Sequence, residues 1–222
     1  MLDGSFDLDL DLNLDFDLDD EKPQKIQEEE IAPVSSSKRR TKECTFFTDK
    51  YLFKRAFSEV SLLDCLGMED FKQNHSYNFI TAGDVDALSY LKLILRHNKT
   101  IEHLLVSTWV ISAEDILQLD EWIGGGRIQK LDLYLGEIFP KSYKIEFEMI
   151  KKLFKKYDCG RVAVFRNHSK IFAGETEKYK FGIQMSCNIN TNPRTENGCI
   201  IINDEIYDFY KSYFDDVKSF DL

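Results

Sequence analysis

From residue 44 onward, apolar and polar positions alternate between two periods. Asp49 to Leu66 has helical spacing and ends at Gly67, which predicts a helix. Asn78 to Ala82 reads as a short strand, and Val85 to His97 as a helix that starts after Gly83-Asp84 and stops at Asn98. Leu104 to Val110 is a β-rich apolar run, the mark of a buried strand. Ser112-Ala-Glu-Asp115 is a capping-box pattern opening a helix through Trp122. Ile128 to Leu135 alternates as a strand, and Ser142 to Tyr157 has helical period. Strands are then expected at Val162 to Phe165, Gly182 to Ile189 and Gly198 to Ile202, with a turn near Gly174 and a last helix over Glu205 to Lys218. Strands alternating with helices predict an α/β fold: a mixed sheet with helices on both faces.

Gly124-Gly125-Gly126 invites comparison with a phosphate loop. It follows a helix rather than a strand, and no Gly-Lys-Ser/Thr comes after it, so a helix C-cap and loop is the better reading.

The first 43 residues break the pattern. Phe6 to Leu18 has apolar residues at even positions and Asp or Asn at odd ones. Period two is a strand signal, but a row of Asp repels itself and disfavours a strand. The chain is therefore divided into a disordered acidic tail and linker, residues 1–43, and a folded domain, residues 44–222. The tail could be a solvated run, a docking strip for a basic partner, or an intramolecular cover for a basic cleft. Residues 21–43 hold Pro23, Pro33, three serines and the basic cluster Lys38-Arg39-Arg40 with Lys42.

Charge sharpens this division. Residues 1–30 carry twelve acidic residues against two lysines, the whole of the chain's net −10. The remainder is balanced, so the low isoelectric point does not exclude an anionic substrate. Five cysteines, widely spaced and without a Cys-x-x-Cys, argue against a disulfide framework or a zinc site. No apolar run reaches membrane-spanning length and no signal-peptide pattern opens the chain, so a soluble cytoplasmic protein with no membrane partner is expected.

The chemistry-bearing stretch is Arg161 to Ile202. Asn167-His168-Ser169-Lys170 ends an apolar strand, and in extended chain His168 and Lys170 point to one side. In Ser186-Cys187-Asn188-Ile189-Asn190 the polar residues share one side and Cys187 and Ile189 the other. Arg194-Thr195-Glu196-Asn197 supplies a cation and a carboxylate before the last strand. Lys and Asn suit the non-bridging oxygens of a phosphodiester, imidazole can attack phosphorus or protonate a leaving oxygen, and a carboxylate can fix the imidazole tautomer. Lys supplies the positive charge, so no metal or cofactor is called for.

His-x-Lys, then Ser-x-Asn, then Glu-Asn before an apolar strand resembles the phospholipase D superfamily, and within it the small nucleases with one motif per chain. The resemblance spans about residues 76–218. In that family an Asp stands five positions after the motif Lys, where this chain has Glu175. A Gly-Ser precedes the Asn, where this chain has Met185-Ser186. The resemblance implies a phospholipase D-like fold and a metal-independent phosphodiesterase. It implies His168 as nucleophile or acid, Lys170 and Asn188 as holders of phosphoryl oxygens, and Glu196 as the group orienting His168. Ser186, Asn190 and Arg194 are the expected substrate contacts. One motif per chain implies a homodimer that pairs two His168. Nucleic acid, DNA first, is the expected partner. Lys151, Lys152, Lys155 and Lys156 form a basic helical stripe, and Arg161, Arg166, Lys178 and Lys180 flank the motif in sequence. The alternatives are a catalytically inactive phospholipase D-like nucleic-acid-binding or assembly module, and an unrelated α/β interaction domain.

Overall fold

The computed structural model describes residues 44–65, 70–190 and 194–219. The sequence expectations for residues 1–43 lie outside the described residues. In chain order the elements are β1 (Lys50–Ser58), α1 (Glu59–Cys65), β2 (His75–Asp84), α2 (Ala87–His97), β3 (Ile101–Thr108), α3 (Ala113–Gly124), β4 (Leu131–Gly136), α4 (Phe139–Ser142), α5 (Lys144–Tyr157), β5 (Gly160–Phe165), β6 (Ile171–Thr176), β7 (Lys180–Met185), β8 (Thr195–Ile202) and α6 (Asp204–Asp215).

The eight strands form one sheet in the order β1-β2-β8-β7-β6-β3-β4-β5. β3, β4 and β5 are mutually parallel, as are β1 and β2, and the pairs β2/β8, β8/β7, β7/β6 and β6/β3 are antiparallel. The apolar run expected for β3 follows from burial on both faces, since only its Glu102 is exposed, while β4, expected to alternate, is buried at every residue, Asp132 included. Leu104 and Val106 face α2, α3 and α5, while Leu105 faces α6 together with Tyr134, Ala173 and Ile201. The α/β sheet with helices on both faces is thus as expected.

The caps set the helix starts. Asp86 accepts from the Ser89 amide at α2, and Ser112 accepts from the Asp115 amide at α3, each worth about 0.5–2 kcal/mol. The Gly124–Gly126 run ends α3, with the Gly125 amide closing on the Glu121 carbonyl.

Three expectations fail. In place of the single helix expected from Asp49 to Leu66 stand the edge strand β1 over Lys50–Ser58 and the short helix α1 over Glu59–Cys65. Tyr51 suits a pleated surface, and the parallel ladder to β2 outweighs the helical spacing. Gly174 lies inside β6, not in a turn: a Cβ there would stand 2.5 Å from Phe181 Cζ, so the glycine makes room for a ring. The turn comes later, where the Thr176 hydroxyl accepts from the Lys178 and Tyr179 amides. The strand expected over Gly182 to Ile189 stops at Met185. Among the described residues no helix is long and apolar enough to cross a membrane.

Candidate active site at one edge of the sheet

The ladder directions bring many connections to one edge. β3, β4, β5 and β7 end there, and β6 and β8 begin there. Such an edge, at the carboxyl ends of parallel strands, is where open α/β sheets place ligand sites. The segment from β5 to β6 must pass over the ends of β4 and β3, because those two strands lie between them. Three strand spacings make about 14 Å, which the six steps from Phe165 to Ile171 span with no room for a further element.

Extended chain alternates its side chains, and this segment does. Asn167 is buried and His168 exposed, with Ser169 and Lys170 half-buried. Asn167 Nδ2 donates to Ser107 Oγ (2.9 Å), to the Tyr134 carbonyl (3.1 Å) and to the Thr108 carbonyl (3.4 Å). Its Oδ1 accepts from the Ser169 amide (3.0 Å) and the Ser169 hydroxyl (2.7 Å). The Ser107 and Ser169 hydroxyls are 2.6 Å apart.

On the outward side, Lys170 Nζ stands 3.0 Å from His168 Nδ1 and 3.4 Å from Nε2, and donates to the His168 carbonyl at 2.8 Å. The Trp109 ring backs the imidazole, with centroids 5.1 Å apart. Partial burial holds the Lys170 ammonium below its usual range, against the opposing pull of Glu196 and Cys187.

Ser186 follows β7. Its hydroxyl donates to the Glu196 carboxylate and accepts from the Asn197 amide at 3.0 Å. Glu196 lies within β8 rather than on a loop, beside Thr81 of β2, whose hydroxyl donates to the Glu196 carbonyl at 3.1 Å. The alternation expected over 186–190 is present: Cys187 and Ile189 are buried, while Asn188 and Asn190 are half-buried. Burial pushes the Cys187 thiol up to about 12, so it is inert as a nucleophile at neutral pH. Ile189 ties this segment to the end of β3, its amide donating to the Val110 carbonyl (3.3 Å) and its carbonyl accepting from the Ser112 amide (2.8 Å).

An open groove of about 540 Å³ has His168, Lys170 and Ser186 in its walls, together with Gln184 and Tyr210. Glu196 reaches it through Ser186. Asn188 and Asn190 belong to the segment beside β3, and Arg194 is exposed just before β8. Glu175 is at the far end of β6, opposite His103, and takes no part here. Of Arg161, Arg166, Lys178 and Lys180, only Arg166 is on this edge, directly after β5. Arg161 donates to the Val217 carbonyl, Lys178 to the His97 carbonyl, and Lys180 pairs with Asp208. On α5, Lys151 pairs with Glu148 and Lys156 with Asp120.

Asn167, Trp109, Gln184 and Tyr210 were not singled out by sequence. Asn167 carried a signal in its place beside the motif, one residue before His168. The others are near only in space.

No protein-family model matches the sequence, and no curated protein matches it. Among solved structures, the polyphosphate kinase of Porphyromonas gingivalis is similar over 64% of this chain and 26% of its own, with 8% identity and a TM-score of 0.49. A phosphatidylserine synthase of Haemophilus influenzae is similar over 63% of this chain and 37% of its own, with 11% identity and a TM-score of 0.46. The chain thus spans only a minor part of either protein, and at such scores the likeness carries no chemistry across.

Proposed function

We propose that the chain is a metal-independent phosphodiesterase, acting on DNA through a phosphohistidine at His168 in a site completed by a second copy. The observation that supports it best is the imidazole of His168 held 3.0 Å from the Lys170 ammonium in an open groove, with the Ser186–Glu196 pair beside it. The resemblance of His168, Lys170, Ser186, Asn188 and Glu196 to the phospholipase D motif supplies the roles.

In this reading an incoming phosphodiester draws Lys170 Nζ away from the ring and onto its non-bridging oxygens, with Asn188 and Ser186 as further donors. Freed of Lys170, Nδ1 holds the ring proton against Glu196, and the Nε2 lone pair attacks phosphorus. The P–O bond to the leaving oxygen breaks, and that oxygen takes a proton from His168 of the second copy. Water then attacks the phosphohistidine, the P–N bond breaks, and the second imidazole takes back a proton. Asn190 and Arg194 would contact the flanking strand.

The test is cleavage of labelled single- and double-stranded DNA in EDTA, wild type against His168→Ala. Metal-free cleavage lost in the variant, with a protein–phosphate adduct trapped on wild type only, is the expected result. A folded, dimeric wild type that cuts neither strand form would move the weight to the second reading, a catalytically silent nucleic-acid-binding or assembly module. That reading is favoured by Lys170's bond to the His168 carbonyl and by Glu175's place at the far edge, where the family's motif carries an Asp.

A further inference from the structure

We propose that Asn167 is the positioning residue of this site: its side chain determines where His168 and Lys170 stand. The inference rests on His168 being the reacting group, but not on which phosphodiester is cut.

A connection that crosses two strand ends has no ladder of its own, so its place over the sheet must come from side chains. Asn167 is 6% exposed and reaches both strands it crosses, through the Thr108 carbonyl and Ser107 hydroxyl of β3 and the Tyr134 carbonyl of β4. The hydroxyl contacts also close a ring. Asn167 Nδ2–H donates to Ser107 Oγ, the Ser107 hydroxyl donates to Ser169 Oγ, and the Ser169 hydroxyl returns to Asn167 Oδ1. Each hydroxyl gives one proton and receives one, which requires a residue with donor and acceptor at a single branch point. Asp offers no donor, Gln is a methylene too long, and Ser cannot reach both strands.

The ring turns residues 167 and 169 inward, and the extended backbone then sends 168 and 170 outward. Trp109 and Gly136 complete the seat. A Cβ on Gly136 would stand 2.2 Å from Trp109 Cδ1 and 3.1 Å from the Asn167 carbonyl. The bare backbone of β4 therefore lets the indole and the crossing segment settle together, and the indole is what His168 leans against.

The experiment uses the full chain with 13C-labelled histidine, comparing wild type with Asn167→Asp. The Trp109 ring current displaces the His168 Cε1–H resonance, which is assigned by its loss in His168→Ala. In Asn167→Asp that displacement should shrink, while the His103 resonance, held by Asp132 and Tyr207 on the far side of the fold, stays in place. On a substrate that wild type cleaves, kcat should fall about 100-fold with KM within about twofold, the signature of a misplaced reacting group. A folded Asn167→Asp with an unmoved His168 resonance and unchanged kcat overturns the proposal. Should that variant fail to fold, Ser169→Ala and Ser107→Ala open the same ring without adding a charge. They carry the same two readouts, and no movement in either variant overturns it equally. If wild type cuts no phosphodiester, the proposed function fails while the resonance still decides the role of Asn167.

Discussion

The phenol of Tyr90 fills the space that a side chain at position 198 would need. A Cβ on Gly198 would stand 2.4 Å from both Tyr90 Cζ and Oη, and Tyr90 is fully buried. The helix α2 can therefore press an aromatic ring onto β8 two residues from Glu196. Gly198→Ala is expected to cost about 1–3 kcal/mol by overpacking. Urea denaturation measures it, and the cost should shrink in a Tyr90→Leu background, since the two positions share one space. An unchanged cost in that background would refute the contact as the cause.

Asp132 is expected to set part of the acid limit of the fold. Burial pushes its carboxyl up, but the hydrogen bond and charge of His103, with Lys130 and the Arg161 amide, outweigh it and hold the group below its ordinary value. A lowered carboxyl stabilises the fold fully above the unfolded value of about 4, and that contribution is lost as pH falls through the folded value. Asp132→Asn should be less stable than wild type at pH 7, and the gap should close below about pH 4. Denaturation midpoints measured from pH 7 down to pH 2.5 test this, and a constant gap counts against it.

Lys170 should show the opposite balance. Its ammonium is held below its usual range by partial burial, so the charged form costs the folded state stability, and the cost fades as pH rises through the folded value. Lys170→Met is expected to leave the melting temperature unchanged or slightly raised at pH 7. DNA cleavage should fall about 10²–10³-fold, the usual loss for one electrostatic donor. A marked drop in melting temperature would show that Lys170 is structural.

Residues 1–30 hold the chain's entire net charge of −10. Their removal leaves a neutral chain, and a polyanion should then bind more tightly at low ionic strength, with the difference vanishing as salt is added. Titration of labelled DNA into both forms at 20 and 300 mM salt reads this directly. Equal affinity at the lower salt would leave the acidic segment with no electrostatic part in DNA binding.

Much of the fold was legible because burial writes itself into the chain. The apolar run of β3, the alternation of β4, the Ser112 cap and the Gly125 stop all act locally, whereas α2 is capped by Asp86, two residues after the Gly83-Asp84 start that was expected. β1 was not legible, since its aromatic pairs fit either period and its ladder to β2 is a distant contact. At the site, the alternation of His168 and Lys170 could be read from spacing alone. The basic residues misled because nearness in sequence is not nearness in space: a six-residue strand is about 17–20 Å long, so Lys180 at the start of β7 lies a full strand away from Ser186. Tyr210 and Trp109 come from other elements and left no local trace.

The place of β8 in the sheet governs how the protein can be made. β2 has only β1 and β8 as hydrogen-bonded neighbours, and His75 pairs with Ile202. On the ribosome the first two strands therefore emerge early, and one side of that pair waits unmatched until nearly the whole chain has been synthesised. Such late closure between distant segments slows folding and leaves a sticky strand exposed meanwhile. Any truncation before residue 195 would strand β1 and β2 from the rest of the sheet, which makes intact C-terminal sequence a condition of solubility.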